Sequence, residues 1–283
     1  MPVIALFLLA GVAPPAAAHG LFDGHLAERL PVLLSALLLL GAWLLYGLGA
    51  RRVRPHAGER WWMHGAMLLA LFAVFGPLDE WAETSTSLHM TQHMLFMLVI
   101  APMWVLARPL PQWRAATGGL LQPLWRPMLR CLRYPVALAM LHGALIWIWH
   151  SPRLYVLALD NLWWHMVEHA CFLLSAWLFW WSVLRASPAR MPQALMALLL
   201  TLMHTGLLGA LLTFANQSFY GDWRDVADQQ LAGLIMWVPG GLVYLGAAGW
   251  VGWRWLQRRT RRADSTDAAW NRVNRPTERK NGG

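Results

Sequence analysis

Charged residues are scarce in this sequence. Asp, Glu, Lys and Arg together make up only 13% of the 283 residues, whereas hydrophobic residues make up 58%. An average soluble domain carries about 25% charged residues, and a disordered chain is poor in apolar residues. The mean hydropathy of +0.40 points the same way. The composition therefore excludes an ordinary soluble domain and a disordered chain, and it predicts an integral membrane protein.

Cysteine is scarce as well. The chain contains only Cys131 and Cys171, which are far apart in the sequence. This excludes a disulfide scaffold, a paired-cysteine redox site and an iron–sulfur cluster. The His-Glu-x-x-His pattern of metalloproteases is absent too, and we find no nucleophile–base pair with an identifiable substrate. We therefore do not expect an enzyme.

Lysine is nearly absent, since Lys280 is the single lysine among 23 basic residues. The arginines follow alternate apolar runs, at residues 51–60, 108–133, 185–190 and 254–279. Basic residues favour the cytoplasmic side of a membrane protein and contact anionic lipid headgroups. Most acids, including Asp79 and Glu80, fall in the segments between them. The basic excess thus predicts topology and contact with the lipid bilayer, and it does not indicate nucleic-acid binding.

Apolar runs near the length of about 20 residues that spans a bilayer recur along the chain. They predict an all-α integral membrane protein, a seven-transmembrane helix bundle with its N-terminus outside and its C-terminus cytoplasmic. The predicted spans are residues 30–50, 61–78, 88–106, 134–150, 163–184, 192–214 and 230–253.

The two ends of the chain differ from this membrane domain of residues 19–256. Residues 1–18 are apolar and end in Ala16-Ala17-Ala18, a small-residue pattern typical of a signal peptide cleavage site. An uncleaved extra helix is the alternative. Residues 257–283 are polar and aperiodic, and we expect a disordered basic cytoplasmic tail.

Histidines are placed at matching depths on different helices. His89 and His93 open the third span, and His165 and His169 open the fifth. Residues four apart lie on one helix face, about 6 Å from each other. His150 ends the fourth span on the same outer side. Because ionisable residues inside a membrane are costly, they indicate a functional site.

Methionines accompany these histidines, since Met90 and Met94 repeat the spacing of His89 and His93. Imidazole suits copper, zinc and iron, and thioether sulfur selects Cu(I). The pattern predicts a copper site first and a zinc site second. Glu168 can bind the ion or orient a neighbouring histidine. The predicted metal ligands are His89, His93, His165, His169, His150, Met90 and Met94.

Further polar residues are candidates for binding a cofactor: His142, His204, Glu168 and Asp228. Two histidines on facing helices can hold a haem, either His93 with His169 or His142 with His204. His142 and His204 are equally explained as polar contacts between helices. Asp228 begins the seventh span, where an acid favours the helix dipole, and it can instead collect cations with its acidic neighbours.

Four sequence blocks carry a family resemblance. They are His89-Met90-Thr91-Gln92-His93, Trp149-His150-Ser151-Pro152, His165-Met166-Val167-Glu168-His169, and Asp228-Gln229-Gln230 followed by Met236-Trp237-Val238-Pro239-Gly240. In their order and seven-helix frame they resemble the multi-spanning CtaG-type assembly factors of bacterial caa-type cytochrome c oxidase. The resemblance implies a multi-pass protein of the bacterial cytoplasmic (inner) membrane that handles copper. It implies cytochrome c oxidase subunits and other copper chaperones as partners.

Four functions are compared. The first is an assembly factor that binds copper at the periplasmic face and aids its insertion into the oxidase. The second is a haem-binding membrane redox protein, and the third a transporter. The transporter ranks low because a transport path needs polar groups along its whole length, and the cytoplasmic half of the predicted spans has only His64, near the cytoplasmic end. The fourth is a membrane scaffold without metal, in which the histidines only pack helices.

Overall fold

The computed structural model describes residues 26–273, with side chains described for residues 30–260 and 270. Within this part of the chain there is no strand, which confirms the predicted all-α fold. The helices are α1 (Leu26–Ala50), α2 (Ala57–Phe75), α3 (Pro77–Thr84), α4 (Thr86–Met94), α5 (Ala101–Ala107), α6 (Leu110–Thr117), α7 (Gln122–Cys131), α8 (Pro135–Trp149), α9 (Pro152–Asp160), α10 (Leu162–Leu184), α11 (Met191–Thr213) and α12 (Val226–Val273). The expected signal peptide at 1–18 lies outside the described residues.

Five helical stretches among the described residues are long and apolar enough to cross a membrane. They are Leu30–Ala50, Thr86–Ala107, Leu162–Leu184, Pro188–Thr213 and Val226–Thr260. Two pairs of helices, α2 with α3 and α7 with α8, are long and apolar enough only when the two helices are taken together. They bend by 43° and 101° between the helices. The described part of the chain is therefore a helical membrane domain with five candidate spans, or up to seven when each bent pair counts as one.

The bend between α2 and α3 falls at Gly76 and Pro77. Proline disfavours helical backbone in the residue before it, so α2 ends at Phe75 and α3 starts afresh. A Cβ on Gly76 would lie 2.3 Å from the carbonyl oxygen of Phe72, so only glycine fits here. The bend lets α3 pack across α4, which brings Asp79 towards the histidines.

A π-helical segment, Leu95–Ile100, joins α4 to α5. In this segment each N–H bonds to the carbonyl five residues earlier, as Ala101 does to Phe96. Pro102 comes next and has no N–H to give to the carbonyl of Met97. The indole Nε1 of Trp180 donates to that oxygen instead, at 2.7 Å. One side chain of α10 thus satisfies the backbone where the third span is interrupted.

Helix α8 is short and ends inside the protein. It has 15 residues, about 22 Å of helix, which is less than a hydrocarbon core of about 30 Å. The chain turns at His150 and continues as α9, which packs against α10. The short α8 therefore leaves His150 buried instead of at the surface.

Three arginine-rich segments meet at one end of the bundle, called here the arginine end. Arg52 donates to the carbonyl oxygen of Ala115 at 2.7 Å, and Arg108 lies 3.3 Å from Glu59. Burial lowers the pKa of Arg185, and the nearby charge of Arg108 lowers it further. The contacts join the segments that the sequence placed on one side of the membrane.

Helix α12 packs closely on α11 and continues past the membrane segment. A Cβ on Gly233 would lie 2.6 Å from the carbonyl oxygen of Gly209, so the backbones touch through small residues. At the arginine end, Arg258 and Arg259 line a surface depression with Pro188. The helix reaches Val273, into the segment where the sequence predicted no regular structure, and residues 274–283 lie outside the described residues.

Candidate metal centre

The two histidine pairs face each other across α4 and α10. The His89 ring stacks on His165 with centroids 5.4 Å apart, and His93 meets His169 edge to face at 5.5 Å. The spacing of four residues gives each pair one helix face, and the packing of the third span on the fifth brings the faces together. The pairs therefore form one cluster at the end of the bundle opposite the arginine end, called here the histidine end.

Glu168 lies at the centre of this cluster. Its Oε2 is 3.7 Å from Nε2 of His89 and 3.6 Å from Nε2 of His93. These separations are too long for hydrogen bonds. Both carboxylate oxygens of Glu168 and both ring nitrogens of His89 and His93 are buried without a hydrogen-bond partner among the described residues. Buried polar atoms are almost always bonded, so a ligand is the natural partner of this set.

Four ligand atoms converge closely enough to hold one ion. One atom each from His89, His93, His165 and Glu168 all lie within 4.8 Å of one another. A tetrahedral ion with bonds of about 2.0 Å needs ligand atoms about 3.3 Å apart. The 3.6 and 3.7 Å separations around Glu168 are a small side-chain adjustment from that. Three of the four residues are buried, with His89 and His93 each 1% exposed and Glu168 0%, and His165 is half-buried.

A second set shares one member with the first. Ligand atoms of Asp79, His165 and His169 also lie within 4.8 Å of one another. Asp79 Oδ1 accepts a hydrogen bond of 2.6 Å from Nε2 of Gln92, which also donates to the carbonyl oxygen of Ala73. The sequence did not single out Asp79 as a site residue. Its only signal there was an acid at the end of an apolar run.

His150 stands at the edge of the cluster, with its ring 6.3 Å from that of His93. Its Nδ1 bonds to the carbonyl oxygen of Ile146 at 2.7 Å. That bond fixes Nδ1 as the protonated nitrogen, which leaves Nε2 as a free electron-pair donor. Nε2 is buried without a hydrogen-bond partner. His150 is therefore prepared to act as a ligand if a side-chain shift brings it closer.

The methionines lie on a different side of α4. A Cβ on Gly240 of α12 would be 3.6 Å from Sδ of Met94, so Met94 faces α12. Met90 is one turn earlier on the same face and is fully buried. The structure therefore brings the predicted histidines together and leaves the two predicted thioethers outside the cluster, in the packing between α4 and α12.

The two deeper histidines have other neighbours. Nδ1 of His142 hydrogen-bonds to Oγ of Ser175 at 2.8 Å, and its ring stacks on Phe179. His204 packs against Gly143, where a Cβ would lie 3.2 Å from its Cδ2 atom. His142 lies two turns from His150 on α8, about 12 Å away by helical rise. The hydrogen bond from His142 to Ser175 is an interhelical polar contact of the kind that the sequence gave as the alternative, and His204 packs against α8 at Gly143.

Asp228 holds the beginning of α4 from across the bundle. Its carboxylate accepts hydrogen bonds from the backbone N–H groups of Thr86 and Ser87 and from the hydroxyls of Ser85 and Ser87. Free N–H groups at a helix start need acceptors, and an acid there also favours the helix dipole. The sequence suggested capping of the acid's own helix, whereas the structure has it cap a neighbour. Asp228 thereby positions the helix that carries His89 and His93.

The two glutamines after Asp228 fix the loop that covers the histidine end. Oε1 of Gln229 accepts a hydrogen bond of 2.7 Å from the N–H of Phe219. Nε2 of Gln230 donates to the carbonyl oxygen of Ala215 at 2.9 Å. The Asp228-Gln229-Gln230 block thus ties α4, the covering loop and α12 together.

A buried cation and two phenols adjoin the cluster. Arg224 is 4% exposed and donates to the carbonyl oxygen of Glu83 at 2.6 Å. Tyr155 stacks on Tyr220 with centroids 3.7 Å apart and meets the His89 ring edge to face at 5.2 Å. Burial raises the pKa of Tyr155 to about 12, and the charge of Arg224 opposes that rise. Burial also raises the pKa of Tyr220. Both phenols therefore remain protonated at neutral pH.

The comparisons with known proteins bear on this arrangement. A family model described as cytochrome c oxidase caa3 assembly factor (Caa3_CtaG) matches residues 44–258. Comparison with the curated proteins gives no match, and comparison with the solved structures gives none either. The matched segment is well over half of the chain and contains the whole histidine cluster. The chain therefore belongs to the cytochrome c oxidase caa3 assembly factor family.

Proposed function

We propose that this assembly factor binds copper at the periplasmic face of the bacterial inner membrane and aids its insertion into cytochrome c oxidase. The observation that carries the proposal is the convergence of two histidine pairs and Glu168 in one cluster. Both ring nitrogens of His89 and His93 and both oxygens of Glu168 lack hydrogen-bond partners among the described residues. The arginine end faces the cytoplasm by the positive-inside rule. The histidine end then faces the periplasm.

Family membership sets the frame for this proposal. An assembly factor family is not a class of catalytic enzyme, as the sequence also predicted, and its function implies an interaction with cytochrome c oxidase. Copper handling, the periplasmic orientation and other copper chaperones as partners go beyond the family assignment. They belong to the proposal.

The donor set favours a divalent ion. The converging atoms are imidazole nitrogens and carboxylate oxygens, whereas Met94 Sδ faces α12. Cu(I) prefers sulfur, and among divalent ions Cu²⁺ binds nitrogen and oxygen ligands more tightly than Zn²⁺. We therefore infer Cu²⁺ as the bound form, with Zn²⁺ as the nearest competitor.

The haem alternative fits this cluster less well. A porphyrin held by His93 and His169 would have to lie between their rings. Glu168 and the rings of His89 and His165 already occupy that region, with adjacent centroids 4.1 to 5.5 Å apart. The packing around His93 therefore supports an ion over a haem.

The proposal is tested on the full chain purified in mild detergent and loaded with copper or zinc. We expect near-stoichiometric copper and no Soret band. A variant with His93→Ala and His169→Ala should lose the copper. His56→Ala is the matched control, because His56 is exposed and lies next to the arginine end, and it should keep the copper.

Two other results would contradict the proposal. A Soret band with extractable haem favours the redox protein. A folded sample that contains neither metal nor haem favours the scaffold function, in which the histidines only pack helices.

A further inference from the structure

We propose that the ion occupies two positions in succession, an outer one formed by Asp79, His165 and His169 and an inner one formed by His89, His93 and Glu168, with His165 serving both. This rests on the proposed function, because it concerns the path of the ion that the cluster binds. It assigns Asp79 and His165 to loading and the remaining inner ligands to retention.

The two positions share one ligand. His165 belongs to both convergent sets, and in each set the ligand atoms lie within 4.8 Å of one another. The two positions are therefore neighbours that overlap at one imidazole. An ion bound to that imidazole can change its other ligands without leaving the protein.

The outer position is more exposed to solvent than the inner one. Asp79 and His165 are half-buried and His169 is 9% exposed. The inner residues His89 and Glu168 are 1% and 0% exposed. An ion that arrives from outside meets the Asp79 side first, and the inner position is closed off behind it.

The two positions carry the same number of carboxylates. Each position offers one carboxylate, Asp79 outside and Glu168 inside, together with neutral imidazoles. Moving an unpaired charge into a buried site is costly because the charge loses its hydration. Because the carboxylate is matched in the two positions, the ion keeps an opposite charge beside it throughout the step.

A hydrogen bond links the two positions directly. Gln92 lies between His89 and His93 on α4, and its amide donates to Oδ1 of Asp79 at 2.6 Å. That bond anchors the outer carboxylate to the helix that carries the inner ligands. Oδ2 of Asp79 receives no hydrogen bond from the described residues and can bind the ion.

The step itself is a ligand exchange. The bonds from the ion to the Asp79 oxygen, the His169 nitrogen and one water molecule break, and bonds to the Glu168 oxygen and to the nitrogens of His89 and His93 form. The bond to His165 is kept. The ion remains divalent and no electron moves, so the exchange needs no redox partner.

The test follows loading with Co²⁺, a spectroscopic probe whose visible bands report its ligand geometry. Full-length protein in detergent is mixed with cobalt in a stopped-flow instrument, and bound metal is counted at the end. For the native chain we expect one ion per chain, with an early spectrum that converts to a final one.

Asp79→Asn keeps the size of the side chain and its oxygen for Gln92, but it removes the charge. We expect loading to slow by about tenfold, the lower range for altered metal-site partners, while the final spectrum keeps the inner pattern. Asp160→Asn is the matched control, because Asp160 is exposed and ends α9 near the histidine end, and its loading rate should be native.

Glu168→Gln tests the inner position. We expect it to keep the fast early phase and to stop at the early spectrum. Two ions bound per native chain would overturn the succession, as would Asp79→Asn loading at the native rate. Absence of any cobalt, copper or zinc binding by the native chain would instead contradict the proposed function and the succession with it.

Discussion

At the scale of single residues, Glu168 organises the candidate site. The histidine pairs alone would be four rings packed together, which is compatible with simple helix packing. A fully buried carboxylate between them, without a hydrogen-bond partner among the residues that the structure describes, is costly to keep unless an opposite charge joins it. Glu168 therefore separates the metal-binding interpretation from the packing interpretation.

Glu168→Gln should weaken binding of divalent ions by about tenfold or more, because the amide has a similar size but no charge. It should leave the thermal stability of the metal-free protein unchanged or higher, since a buried ionisable group is removed. Isothermal titration with Cu²⁺ and a melting curve in detergent measure both. The exposed Glu80 provides the control, as Glu80→Gln, and equal copper affinity in the two variants would contradict the role of Glu168.

Met94→Leu addresses the thioether ligand that the sequence suggested. Since Met94 Sδ faces Gly240, we expect copper binding to remain native and stability to change by less than about 1.5 kcal/mol, as for other exchanges that conserve volume. Copper titration of the purified variant is the measurement. A large loss of Cu(I) affinity here, with Cu²⁺ affinity intact, would show that the methionine turns towards the cluster on reduction.

At the scale of helices, the site depends on how α4 is held. Its first N–H groups and Ser85 are bonded to Asp228 of α12, and its last turn passes into the π-helical segment whose free carbonyl Trp180 satisfies. The two ends of the helix that carries His89 and His93 are thus fixed by α12 and α10.

Asp228→Ala should destabilise the protein by about 1 to 2 kcal/mol, the usual cost of losing a helix cap. It should also speed hydrogen exchange at the amides of Thr86 and Ser87, which lose their acceptor. Exchange measured by mass spectrometry on the detergent-solubilised chain reports both effects. Asp222→Ala is the matched control, because Asp222 is an exposed acid in the same region. Native exchange in Asp228→Ala would argue against the cap.

At the scale of the whole molecule, the bundle has two chemically different ends. The arginine-rich segments meet at one end through contacts such as Arg52 with Ala115 and Arg108 with Glu59. The histidine cluster lies at the other end. This polarity puts the candidate metal site at one end of the bundle and the arginine-rich surface at the other.

The exposed Cys131 reports the orientation without any new residue at the arginine end. In a Cys171→Ser background, a membrane-impermeant thiol reagent should label Cys131 in inverted vesicles and not in intact cells. A chain with Cys131→Ser and Asp222→Cys should label in the opposite manner. Labelling of Cys131 from outside intact cells would contradict the proposed orientation, in which the arginine end faces the cytoplasm.

Oxidase maturation connects the cluster to the biological role. Cells carrying only the chain with His93→Ala and His169→Ala should lose most of their cytochrome c oxidase activity while the variant remains in the membrane at its native level. The His56→Ala strain controls for the loss of a histidine. Normal oxidase activity in the double variant would indicate a scaffold.

The helical membrane fold and the two histidine faces are predictable from local sequence patterns. Both follow from local rules: an apolar run long enough to span the bilayer must satisfy its backbone within a helix, and residues four apart share a face. The ends of α10 and α11 accordingly lie within about two residues of the predicted spans, as expected for helix boundaries.

Which of these faces meet, and what lies between them, depends on how the separate helices pack. Asp79 joins His165 and His169 only because α2 bends at Gly76, and Met94 leaves the cluster because α12 packs on that side of α4. Asp228 caps a helix start that is 143 residues away from it along the chain. Spacing along one helix cannot specify such contacts, since they depend on how separate helices pack and on the side chains that each interface must bury or bond.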